Sequence, residues 1–199
     1  MTGVTHQDRS VTATTPRRVA VRWLLLAWVV ALAILADQAS KAYVVRHLGL
    51  HESWAPVSAL EQVFRFTHVH NTGAAFGLFP QGGVVFLIIA VIVSAVILYY
   101  YRQVSSDGWL LRLALGLQLG GALGNVIDRV RLGYVVDFLD VWRWPVFNVA
   151  DSCIVIGVGL LMLLMLREER RERRDAATND ETSGEDSALD HRSEQALWR

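Results

Sequence analysis

Four nearly uncharged runs, at about 19–36, 83–101, 109–127 and 146–166, constrain this chain more than any other feature. Each is about 18 to 21 residues long, enough for a helix to cross roughly 30 Å of hydrocarbon. A hydrophobic fraction of 53% would suit a soluble domain too, so composition alone does not decide. The distribution decides, because charge gathers at the two ends and in the connecting loops. The reading is an all-α membrane protein, a bundle of four transmembrane helices. Residues 1–18 read as a disordered cytosolic leader, 19–166 as the membrane domain, and 167–199 as a charged cytosolic tail, disordered beyond one further helical turn. A cleavable signal peptide is the rival account of the first run, since Arg17 and Arg18 precede it. Cleavage there would discard or free Asp37 and Lys41, so the run is read as a retained span.

The polar residues are placed with equal economy. Between Gly120 and Ser152, flanked by apolar runs, stand Asn125, Asp128, Arg129, Asp137, Asp140, Asn148 and Asp151. Such groups at or near bilayer depth cost at least a few kcal/mol each, so a cluster of them points to function. Two further polar blocks lie at span ends. In D-Q-A-S-K (37–41) the i, i+4 spacing puts Asp37 and Lys41 on one helix face, with the acid on the N-terminal side as an ion pair prefers. The block N-T-G-A-A-F-G (71–77) reads as a tight turn. Before it, the alternation of Phe64 and Phe66 with Arg65 and Thr67 signals a strand. The 48–60 stretch reads as turn and short amphipathic helix.

Lys and Arg orient the bundle. Eleven lie on the side of the termini, from Arg9 to Arg174, against six on the other. Both termini are therefore expected in the cytosol, with the three polar blocks meeting at the extracytoplasmic face.

Asp137 and Asp151 are the expected catalytic pair. Asp137 sits in an extended stretch, Y-V-V-D-F-L, and Asp151 in the first turn of the last span, where the positive helix end favours an anion. Two facing carboxylates in a partly desolvated site share a proton. One can then act as base on a water while the other donates to a peptide carbonyl. Asn125, Asp128 and Arg129 share a helix face suited to positioning substrate or to a structural ion pair, and Asp140 and Asp107 read as solvated loop residues. Ser152 with Lys41, or Cys153 with a histidine, would suit nucleophilic catalysis less well. His47 with His51 and His68 with His70 leave a metal site conceivable, although no Glu has ligand-like spacing. Cys153 is the single cysteine, which excludes an intramolecular disulfide and a Cys-rich metal site. Phosphate loops and basic patches for nucleic acid are missing from the sequence. On residues alone, a proton-coupled carrier and a non-catalytic scaffold stay open beside the enzyme.

The five blocks D-Q-A-S-K, N-T-G-A-A-F-G, G-G-A-L-G-N-V-I-D-R (120–129), V-V-D-F (135–138) and F-N-V-A-D (147–151) resemble, in order, those of bacterial lipoprotein signal peptidases, the type II signal peptidases. The resemblance spans about 19–166. It implies an intramembrane aspartic endopeptidase, needing no metal or cofactor, that cuts diacylglyceryl-modified prolipoproteins just before the lipidated cysteine. Asp137 and Asp151 would be the dyad. Asp37, Lys41, Asn71, Asn125, Asp128, Arg129, Asn148 and Ala150 would support it and contact substrate. The resemblance further implies a small extracytoplasmic β-cradle, a short periplasmic-side helix, residence in the bacterial inner membrane among its lipids, and inhibition by globomycin-type cyclic peptides.

Overall fold

The computed structural model describes residues 16–73, 83–103 and 108–197. The leader up to residue 15, most of the N-T-G-A-A-F-G turn and Asp107 lie outside the described residues. Four helices are long and apolar enough to cross a membrane: α1 (Pro16–His47), α2 (Gly83–Gln103), α3 (Trp109–Leu132) and α4 (Val149–Leu197). At one end of the helices stands a three-stranded antiparallel sheet in the order β1 (Ser53–Trp54), β2 (Phe64–Asn71), β3 (Val135–Val141).

The third helix is the axis of the bundle. Half of its apolar stretch is buried inside the protein, against 11% to 17% for the other three, which turn most of their surface outward. Small residues make this possible, since helices in lipid approach closely only where side chains are short. A methyl group added at Gly121 would collide with the Ala150 carbonyl, and one at Gly124 would lie 2.7 Å from the Asp37 carboxylate. Helix α3 therefore has room for α1 and α4 only because these positions lack a Cβ. At the other end of the bundle, Leu26, Leu115, Leu119, Ile97 and Tyr101 form an apolar cluster. The Tyr101 hydroxyl donates to the Arg22 carbonyl (2.8 Å), and the ring meets Trp23 edge-on.

The connection from α3 to α4 carries the site. Gly133 closes α3 in the left-handed conformation (φ 81°), its N–H donating to the Arg129 carbonyl. Only glycine takes that angle without strain. The chain reverses at once into β3, which is buried along most of its length. It then returns along its own strand, Phe147 exchanging main-chain hydrogen bonds with Leu139 (2.7 and 3.1 Å). That pairing delivers Asn148 and the start of α4 beside Asp137.

Several expected boundaries move. Helix α1 runs on to His47, so D-Q-A-S-K lies inside it rather than at its exit; nothing between Ala36 and His47 breaks a helix. The short helix expected in 48–60 is reduced to a three-residue 3-10 turn, Ser58–Leu60, next to the two-residue β1. Strand β2 forms where the alternation placed it. The tail does not lose structure after one turn, for α4 continues to Leu197. Over 167–177 arginine, glutamate and alanine are good helix formers, and Arg173 pairs with Glu169 one turn back (2.6 Å); the Thr-, Ser- and Gly-containing run 178–187 has no such propensity.

Gly121→Ala is expected to destabilise the folded protein by about 1–3 kcal/mol, the usual cost of overpacking. Thermal unfolding in detergent should show a lower midpoint than for Ala substitution at Gly159, whose added methyl meets nothing.

Candidate active site

Asp37, Lys41, Asn125, Asp128, Asp137 and Asn148 are buried together where α1, α3, β3 and the start of α4 converge. Two layers can be distinguished. The upper one holds the two expected catalytic acids. Asn148 caps α4: its side-chain oxygen accepts from the Asp151 N–H (2.9 Å), and the Asp151 carboxylate accepts from the Asn148 N–H (3.3 Å). This reciprocal arrangement is a capping box with Asn and Asp in place of the usual Ser and Glu. The Asn148 side-chain amide meanwhile donates to Asp137 Oδ1 (2.7 Å) and to Asn125 Oδ1 (3.1 Å). Asn125 donates in turn to Asp151 Oδ1 (2.8 Å), and Asn71 donates to Asp137 Oδ2 (2.8 Å). Each carboxylate is thus held by amides that also hold its partner or its partner's helix.

The register of β2 puts Asn71 in place. Phe66 pairs with Leu139, yet Val69 pairs with Asp137, so a bulge between them sets two residues against one. Asn71 also accepts from the Gly73 N–H (3.0 Å), a local turn that fixes its carboxamide.

The lower layer centres on Lys41. Its ammonium lies 2.9 Å from Asp37 Oδ2 and 2.9 Å from Asp128 Oδ2, and donates to Asn125 Oδ1 (3.2 Å). The i, i+4 pair read from the sequence is present, with Asp128 as a third member. Asp128 therefore pairs with Lys41 rather than acting with Arg129. Arg129 lies within electrostatic reach of Asp151, Asp137 and Asp128, faces the Phe86 ring, and approaches the Gly73 carbonyl at 3.5 Å. Its Nε is buried without a partner among the described residues. Ala150 packs with no exposure, and its N–H donates to Asp37 Oδ1 (3.0 Å).

Burial acts strongly on Asp137. Burial, and after it the neighbouring Asp151 carboxylate, push the Asp137 carboxyl up to about 7, against the opposing pull of Asn71, Asn148 and Lys41. An acid so placed keeps its proton to near neutrality.

Other expectations fare differently. Asp140 is not a solvated loop residue: it is buried on β3, pairs with Arg65 Nε (2.6 Å) and accepts from the Thr67 hydroxyl (2.8 Å). Its alternation with Asp137 along the strand hid a cross-strand partner 75 positions away. His47 and His51 share no helical face, because His51 sits in a turn at φ 65°. Among the described residues no cluster of His, Cys, Asp and Glu has the geometry of a metal site. The sequence reading passed over Gln38, which donates to Asp37, Asp128 and the Gly124 carbonyl. Its place inside D-Q-A-S-K was the available signal.

A family model described as signal peptidase (SPase) II matches residues 29–167, a span that contains every residue of both layers. The chain belongs to the signal peptidase II family. It is 45% identical over 142 residues to the lipoprotein signal peptidase of Halothermothrix orenii, a match covering 71% of this chain and 95% of that one. With the lipoprotein signal peptidase of Moorella thermoacetica it shares 49% over 146 residues, again 71% of this chain and 95% of the relative. Its fold is similar to a bacterial membrane enzyme solved by the in meso method at 2.3 Å, with a TM-score of 0.65 at 30% identity, covering 76% of this chain and 90% of that one. As a signal peptidase II it is a multi-pass membrane protein and an aspartic peptidase that removes signal peptides from prolipoproteins. The 167–199 tail lies almost wholly beyond the matched span.

Removing the ammonium should be severe. Lys41→Met leaves Asp37 and Asp128 buried without their cation, and breaking a buried pair in this way costs about 3–5 kcal/mol. The expected result is a large drop in thermal midpoint, with peptidase activity lost in the fraction that remains folded.

Proposed function

We propose that Asp137 and Asp151 are the catalytic dyad with which this signal peptidase II cuts diacylglyceryl-modified prolipoproteins just before the lipidated cysteine. The observation that carries the assignment is the shared amide frame: Asn148 and Asn125 tie both carboxylates into one hydrogen-bonded set. Asp137 enters the reaction protonated and Asp151 ionised. Asp151 takes a proton from the attacking water while Asp137 gives its own to the scissile carbonyl oxygen. The tetrahedral diol then collapses: one hydroxyl returns its proton to Asp137 as the C=O bond re-forms, the C–N bond breaks, and the proton held by Asp151 passes to the leaving amine. Asn71, Asn125 and Asn148 keep the carboxylates in place. Arg129, whose Nε has no partner among the described residues, is the donor best placed to hold a substrate carbonyl. Asp37, Lys41, Asp128 and Ala150 support the dyad from below.

The substrate reaches this site from the bilayer. Both termini lie in the cytosol and the dyad near the extracytoplasmic face, a reading supported by the Arg asymmetry and by the position of the sheet at one end of the bundle. The outward surfaces of α1, α2 and α4 face membrane lipids. Globomycin-type cyclic peptides would occupy the cleft at the dyad in place of the substrate.

Asp137→Asn and Asp151→Asn should each lower kcat for a lipidated prolipoprotein in detergent by roughly 10²–10⁴-fold, the usual worth of acid–base catalysis. Membrane insertion should be unchanged. Because the raised group is the proton donor, the donor form is full below about pH 7 and empties above it. The rate should therefore fall as pH rises through about 7. A rate that stays level up to pH 9, or full activity in either Asn variant, would overturn the assignment. Orientation is checked separately by reporter fusions. A periplasm-active reporter should be silent at either terminus and active when inserted in the 55–62 loop.

A further inference from the structure

We infer that Gln38 is a positioning residue that sets the spacing of the dyad by bridging two carboxylates, each of which holds the peptide unit next to one dyad aspartate. The inference rests on the dyad assigned above. Its basis is a pair of matching hydrogen bonds. Asp37 Oδ1 accepts from the N–H of Ala150, the residue immediately before Asp151 (3.0 Å). Asp128 Oδ2 accepts from the N–H of Val136, the residue immediately before Asp137 (3.1 Å). Two catalytic residues from different elements are thus suspended, through one peptide each, from two carboxylates that stand on α1 and α3.

The distance between those two carboxylates then governs the distance between the dyad acids, and among the described residues two side chains bridge it. One is Lys41, bridging Oδ2 to Oδ2. The other is the Gln38 amide, whose Nε2 lies 3.1 Å from Asp37 Oδ2 and 2.9 Å from Asp128 Oδ1, with the Gly124 carbonyl at 3.3 Å. The two bridges divide the work. A single ammonium cannot neutralise both carboxylates and can act as a pivot about which they turn. A second contact, on the other oxygen of Asp128, removes that rotation. It comes from a neutral donor, so it adds no charge to a buried set. The Gln38 oxygen is fixed from outside by Arg131 Nη1 at 3.4 Å. Close packing makes the linkage stiff, for Gly124 brings α3 against the Asp37 carboxylate.

Positioning of this kind acts on turnover rather than binding, because displacement of reacting groups by about 1 Å costs up to roughly 10²-fold. Gln38→Met keeps the length of the side chain and removes the donor. The expected result is a fall in kcat of about tenfold or more, with KM within about twofold of the native enzyme. Gln38→Glu offers the complementary readout. Ionised, it sets a third carboxylate against Asp37 and Asp128; protonated, it regains one O–H donor. Its kcat relative to the native enzyme should therefore rise as pH is lowered. Native turnover of Gln38→Met, a loss confined to KM, or a Gln38→Glu to native ratio that does not change with pH would each overturn the inference. Should Gln38→Met fail to fold, the Gln38→Glu ratio decides alone. Asp137→Asn and Asp151→Asn assayed in parallel separate the two claims. If they are inactive while both Gln38 variants behave as the native enzyme, the dyad stands and the bridge falls; if they are active, the dyad itself is misassigned.

Discussion

One ammonium ion between two carboxylates underlies the rest of this structure. Lys41 comes from α1, Asp128 from α3, and Asp37, one turn before Lys41, reaches the first turn of α4. Burying a charge in this way repays its desolvation only when geometry is good and the remaining lone pairs are filled. Here they are filled by main-chain N–H groups of β3 and α4 and by the Gln38 amide. The cost of ionic groups at this depth is thereby turned into constraint. Three helices and a strand are held in the placement in which Lys41, Asp37 and Asp128 meet with their polar atoms hydrogen-bonded.

Above that constraint the site has little left to arrange. Asparagines do most of the remaining holding, and the choice suits the chemistry. An amide offers a donor and an acceptor without a charge of its own, so it can fix a carboxylate while adding no net charge to a buried site, although its N–H favours the ionised form. Asn148 uses both ends, and Asn125 likewise. The two acids stand in different surroundings. Asp137 is on a buried strand, where burial and the neighbouring carboxylate push its carboxyl up to about 7, and Asp151 is at the half-buried start of a helix.

Much of this was legible in the sequence, for a physical reason. A bilayer forbids uncompensated charge, so the runs between charges mark the spans and the interruptions mark the site. Asp37 with Lys41 followed from helical spacing, and β2 from alternation. Pairings across long separations were not legible. The Arg65–Asp140 contact joins two strands, and the ion pair open to Asp128 is made with Lys41, from another helix, which no local spacing indicates. Gln38 was passed over because an uncharged residue inside a helix gives no signal of its own. The extents of α1 and α4 were underestimated since polarity was taken to end helices, whereas outside the bilayer polar residues of good propensity continue them.

The irregularity between Phe66 and Val69 divides the sheet into two halves of opposite parity. In a regular ladder a slip of one residue turns every side chain over. With the ladder interrupted, the half bearing Arg65 and Asp140 and the half bearing Asn71 and Asp137 keep separate registers. A change of length in the outward hairpin therefore stops at the interruption and does not turn the Asn71 amide away from Asp137.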